Sequence, residues 1–153
     1  MLLLGLLIVR SAMPALPHTA PVQRILRWEP LAYVGRLGLA SPFLVSGLAK
    51  ILDFDAALRE MGTLGLAPPA LFAALVIATQ LGGSALFLTR RFCWLGAGLL
   101  AGFTALATLL AHAFWTVDGP DRMHEMMTFF EHAAIIGGFI AAAVLVNSRS
   151  APP

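Results

Sequence analysis

Five side chains in this sequence could do chemistry from within long apolar runs: Lys50, Gln80, His112, Glu131 and His132. Polar groups are costly at such places, so their presence asks for a reason. A neutral imidazole can take up and release a proton near neutral pH, and a carboxylate can orient it. Glu131 could orient His132 or pair with Lys50. Thr104, Thr108, His112 and Trp115 recur at steps of four, four and three, which puts them on one helical face. Together these groups describe a polar pocket that could hold the head of a quinone. Trp115, with Phe114 and Phe129, would surround its ring, and Phe43 and Ser46 would form the wall beside Lys50. The plainer alternative is that the same groups pair with one another and with lipid headgroups, fixing helix register, with Gln80 bridging two helices. His112 and His132 could also ligate a b-type haem. Met123, His124, Met126 and Met127 include ligand types that suit copper. Packing and a loop account for these residues more simply, and no metal is assigned.

The elements that position these groups must be membrane helices. Of 153 residues, 59% are hydrophobic and 12% charged, with a mean hydropathy of +0.84. Soluble domains carry about 25% charged residues, so lipid must replace water around most of this chain. A formal charge of +2, with no basic cluster, sets nucleic acid aside. Cys93 is the one cysteine, which excludes a disulfide within the chain.

Residues 1–30 form a lead-in. Residues 1–9 are apolar but too short to span, and the first basic residue, Arg10, follows the apolar run rather than preceding it. They could be an interfacial anchor, a poor signal sequence, or an over-extended start with the real one at Met13. Pro14, Pro17, Pro21 and Pro30, with Arg24, Arg27 and Trp28, suit a membrane surface. The membrane domain covers 31–146. Its first span runs over 31–52, where Arg36, Ala40, Phe43, Gly47 and Lys50 share one face. Arg36 and Lys50 stand about 21 Å apart along a helix, in a hydrocarbon core about 30 Å thick. Both could snorkel to headgroups. Asp53, Asp55, Arg59 and Glu60 break the span, and 54–62 reads as a short helix lying on the surface. Pro68 and Pro69 open the second span, 70–88, which Arg90 and Arg91 close. The third span is expected over 92–115, a polar loop over 117–125, the fourth span over 127–146, and a polar tail over 147–153.

The expected fold is all-α: an integral membrane four-helix bundle, up-down-up-down. Arg10, Arg24, Arg27, Arg90, Arg91 and Arg149 fall on one side; Lys50, Arg59 and Arg122 fall on the other, with most of the acids. The positive-inside rule then places both termini in the cytoplasm and the polar pocket in the outer leaflet.

With these residues laid out, the chain resembles the DoxX family of small four-helix membrane proteins. The resemblance covers about 31–146. It is carried by Arg36, by Pro42-Phe43 through Ser46-Gly47-Leu48-Ala49-Lys50, and by Asp53-Phe54. It continues through Gln80-Leu81-Gly82-Gly83, Thr104 through His112-Ala113-Phe114-Trp115, and Ala134-Ile135-Ile136-Gly137-Gly138. His132 departs from the pattern, which often has an asparagine in this region, so no role passes to it by resemblance. The resemblance implies a bacterial cytoplasmic (inner) membrane protein linked to thiosulfate:quinone oxidoreductase or to membrane redox complexes of oxidative-stress defence. The sequence offers no flavin or iron–sulfur site, so a redox role would draw on quinone or on a partner enzyme subunit. A non-catalytic anchor or scaffold, a small-molecule or proton pathway through Gln80, Thr108 and His112, and a homo-oligomer stay open beside it, as does whether the chain is itself an enzyme.

Overall fold

The computed structural model describes residues 20–150, with side chains over 21–148. The readings of residues 1–19 lie outside the described residues. The chain divides into two units, one ending at Val34 and one beginning at Gly35. In the first, α1 (Ala20–Leu26) leads into a turn. Arg24, Arg27 and Trp28 there are all exposed, a composition that suits headgroups. Helix α2 (Glu29–Leu52) starts with Pro30 in its first turn, where a missing N–H is harmless.

The second unit is all-helical. After α2 come α3 (Phe54–Thr63), α4 (Pro69–Leu88), α5 (Cys93–Ala111), a 3-10 turn (Phe114–Thr116) and α6 (Asp121–Ser150). No strand occurs among the described residues. Four segments are long and apolar enough to cross a bilayer: Glu29–Leu52, Pro69–Leu88, Cys93–Thr116 and Asp121–Ser148. Helix α4 packs on α5, α5 on α6, and the short α3 on α4.

Local chemistry explains the boundaries. Pro42 lies inside α2 and removes the N–H that would have bonded the Gly38 carbonyl. The Ser41 hydroxyl donates to that carbonyl instead, at 2.8 Å, so α2 continues. Asp53 ends the span and caps α3, its carboxylate accepting from the Ala56 N–H at 2.9 Å. Gly65, at φ +72°, makes the turn after α3, where a side chain would be strained.

Two expected boundaries differ. Helix α5 stops at Ala111 rather than near 115. His112 leaves helical geometry (φ −126°, ψ 43°), and its side chain is held by the following helix. Helix α6 starts at Asp121, six residues before the expected 127, and extends through Ser150 into the expected tail. Residues 121–126 looked like loop because they are polar. They form a helical first turn instead, where Asp121 complements the helix dipole and Gly119, at φ +77°, allows the chain to turn in.

The core is thin, as expected where lipid is the solvent. The buried residues of α2 are Arg36, Ala40, Phe43 and Gly47, the stripe expected from sequence without its last member, Lys50. Phe43 stacks on Phe139 at 5.5 Å and on Phe103 at 6.2 Å, and Phe139 stacks edge-on against Phe87 at 4.9 Å. Phe87 and Phe139 are fully buried. Arg36 does not snorkel. It is 5% exposed, and its guanidinium donates to the carbonyls of Phe87 (3.3 Å) and Leu88 (3.2 Å) at the end of α4.

Candidate functional site

The first polar cluster is built where α3 folds back against the end of α2. The Lys50 ammonium pairs with the Glu60 carboxylate at 2.9 Å and donates to the Ser46 hydroxyl at 3.2 Å, one turn back on α2. The Gln80 amide on α4 donates to the same hydroxyl at 3.1 Å. Capping by Asp53 sets the direction of α3, and burial of Ala57 and Met61 against Ala73 of α4 holds it down. Glu60, next to Met61, is thereby brought to Lys50.

These groups form the polar end of a pocket of about 340 Å³. Ligand pockets typically run from about 300 to 1,000 Å³. Its walls are apolar: Met61 and Leu64 come from α3 and the turn after it, Phe72, Leu75 and Val76 from α4, and Phe103, Leu106 and Leu110 from α5. Leu75, Leu106 and Leu110 line it yet are about half exposed on spanning segments, so the pocket opens sideways to lipid.

The second cluster lies between α5 and the start of α6. The Thr108 hydroxyl donates to the Thr104 carbonyl at 2.6 Å, the usual back-bond of a helical threonine. Its single hydrogen is thus spent, so in the 2.8 Å contact with His132 the Nδ1–H of His132 donates to Thr108. The His112 Nδ1–H donates to the Glu125 carboxylate at 2.7 Å. The two imidazole rings meet edge to face at 5.1 Å, which leaves no slot for a porphyrin plane between them. No group of three or more His, Cys, Asp or Glu among the described residues could hold a metal. Beside this cluster Phe114, Trp115, Phe129 and Phe130 form a chain of edge-on contacts at 5.2–5.9 Å.

The eight candidate residues are therefore divided. Lys50, Ser46 and Gln80 come together in the pocket. His112 and His132 come together in the second cluster, and Trp115 in the aromatic chain beside it. Phe43 is core, behind the pocket-lining Phe103. Glu131 is exposed, and Lys50 is paired with Glu60 rather than with it. Sequence reasoning passed over Glu60 and Glu125. The available signal was an opposite charge ten residues after Lys50, across a helix break with a capping aspartate.

The second cluster has a structural consequence that can be checked. Glu125→Ala removes the tie between α6 and the end of α5, a hydrogen bond worth about 1 kcal/mol. Amide exchange across 112–125 should quicken while the pocket-lining segments keep their protection.

No solved structure matches the chain. Inner membrane protein YphA of Escherichia coli (strain K12) is 24% identical over 114 residues, covering 74% of this chain and 81% of the relative. The family model described as DoxX matches residues 31–113, a range that contains every residue lining the pocket and leaves out α6. On that match over more than half its length, the chain belongs to the DoxX family.

Proposed function

We propose that this DoxX-family inner-membrane protein binds the ring head of an isoprenoid quinone in the α2–α3–α4–α5 pocket and works in or beside a quinone-linked redox system. One observation carries the reading: the pocket joins a polar cluster, Lys50, Ser46, Gln80 and Glu60 with Thr79 beside Gln80, to otherwise apolar walls that open to lipid. That division matches a molecule with a hydrogen-bonding ring and an isoprenoid tail. The ring can accept from the Lys50 ammonium, while the tail leaves between α4 and α5 without crossing water. With both termini in the cytoplasm, as the basic residues imply, the pocket faces the outer leaflet.

Quinone retained by the purified chain tests this directly, by solvent extraction and chromatography. Lys50→Met should lower retention by about tenfold, the loss of one charged hydrogen bond. His112→Ala should leave it unchanged, because His112 does not line the pocket. Quinone-free wild-type protein, purified from quinone-containing membranes, would sink the reading. A second reading, an anchor or scaffold for a partner enzyme, draws on α6, of whose spanning window only 6% is buried. A partner that co-purifies equally well with the Lys50→Met protein would favour it.

A further inference from the structure

The hydrogen-bonding capacity left over in the pocket has a direction. Gln80 is 5% exposed and lines the pocket, and its carbonyl oxygen Oε1 is buried with no hydrogen-bond partner among the described residues. Its amide N–H is already engaged by the Ser46 hydroxyl oxygen, which also accepts from Lys50. The cluster thus holds Gln80 in place from the nitrogen side and leaves the oxygen empty. A buried acceptor without a donor is costly, and a ligand that supplies the donor recovers that cost. Beside it stand donors. The Ser46 oxygen accepts two bonds, so its own hydrogen is free to donate. The Lys50 ammonium has a third N–H beyond its bonds to Glu60 and Ser46.

A quinone ring carries only acceptors at its head. It could use Lys50 and Ser46 but would leave Gln80 Oε1 unsatisfied, with a carbonyl oxygen facing it. A hydroxyl on the ring satisfies both sides at once: its O–H donates to Gln80 Oε1, and its oxygen accepts from Lys50 or Ser46. The geometry points to a site selective for the reduced, hydroxyl-bearing quinol head over the quinone, with Gln80 as the residue that determines the selectivity. This rests on the quinone-pocket reading and adds to it which redox form is held.

The test uses the full chain in lipid nanodiscs with two short-tailed probes, decylubiquinol under anaerobic conditions and decylubiquinone. The expected result is quinol binding about tenfold tighter than quinone, the value of one hydrogen bond to a buried acceptor. The apparent midpoint potential of the bound probe should then rise by about 30 mV, the two-electron equivalent of a tenfold preference. This measurement needs no variant. Gln80→Met keeps the side-chain length without the carbonyl. It should abolish the preference by weakening quinol binding about tenfold more than quinone binding.

Equal affinities for the two probes, or tighter quinone binding, would overturn the selectivity while leaving the pocket reading in place. Absence of binding by either probe would remove the pocket reading, and the selectivity with it. A quinol preference that persists in a folded Gln80→Met protein, or an equal loss of both probes in it, would show that Gln80 does not read the hydroxyl and would overturn the assignment.

Discussion

Gly96→Ala is expected to destabilise the chain by about 3 kcal/mol or more, at or beyond the upper end of the usual cost of overpacking. A Cβ built on Gly96 would collide with the Phe87 backbone nitrogen and lie 2.6 Å from the Gly83 carbonyl oxygen. Both are backbone atoms of α4, so no side-chain rotation relieves the clash and the two helices must separate. Separation would open the contact that buries Phe87, Ala97 and Leu100, and it would shift the α4–α5 wall through which the pocket meets lipid. Gly82→Ala and Gly137→Ala are the controls, since a Cβ at either position has nothing within 4 Å. The measurement is the thermal midpoint of monodisperse protein in detergent. Gly96→Ala should fall well below both controls. Equality of all three would mean that α4 and α5 do not pack this closely.

Gly96 also shows where the sequence stops being legible. The pairs Gly82-Gly83 and Gly137-Gly138 look alike as close-packing sites. Of these, Gly83 faces Leu100 and Gly138 faces Leu39, while Gly82 and Gly137 face open space. Which glycine touches a neighbour depends on which face of the helix turns inward. In water an amphipathic stripe gives that away. On α4 and α5 only a few buried polar residues, Gln80 and Ser84 on one and Thr104 and Thr108 on the other, mark an inward face. The rest is apolar on every side, because lipid accepts what the core accepts, so hydropathy does not place the glycines. Span limits were legible because charge and proline mark them: Asp53 after α2, Pro68-Pro69 before α4, Arg90-Arg91 after it. The inward stripe of α2 was legible for the opposite reason, since Arg36 breaks the uniformity of the helix.

The site was legible in part, and the division has a physical cause. Ser46 and Lys50 are one turn apart on one helix, so their proximity follows from helical geometry alone. Bringing Gln80 to them needs α4 beside α2, which a bundle with short connections favours. Glu60 could not be found this way. Its contact with Lys50 depends on α3 folding back, and that depends on the Asp53 cap and on the packing of Met61. The acidic break after α2 read as a helix lying on the surface, whereas one of its carboxylates, on half-exposed Glu60, pairs with the mostly buried Lys50 ammonium. Glu125 was hidden likewise, because polar residues before an apolar run resemble a loop until a helical turn aligns them with His112.

Arg36→Leu is the second substitution expected to have a large effect, a loss of about 3 kcal/mol, the scale set by leaving two carbonyls without their charged donor. The last four carbonyls of a helix have no partner within it. Those of Phe87 and Leu88 end α4 next to fully buried Phe87 and receive the Arg36 guanidinium from α2. A cation also lies favourably against the negative end of the helix dipole there. Both bonds come from one guanidinium nitrogen, Nη1. The weakly hydrated, planar guanidinium is less costly to bury there than the compact and strongly hydrated ammonium of lysine. Arg36→Lys should therefore recover only part of the stability, giving the order wild type, Arg36→Lys, Arg36→Leu in thermal midpoint. If instead Arg36→Lys matched the wild type, the site would need only a positive charge, as snorkelling to headgroups would require. If Arg36→Leu matched it too, water or headgroups must already satisfy the end of α4. The predicted order follows only if the guanidinium acts as a shared cap between α2 and α4, holding in register the two helices that bring Ser46 and Lys50 to Gln80.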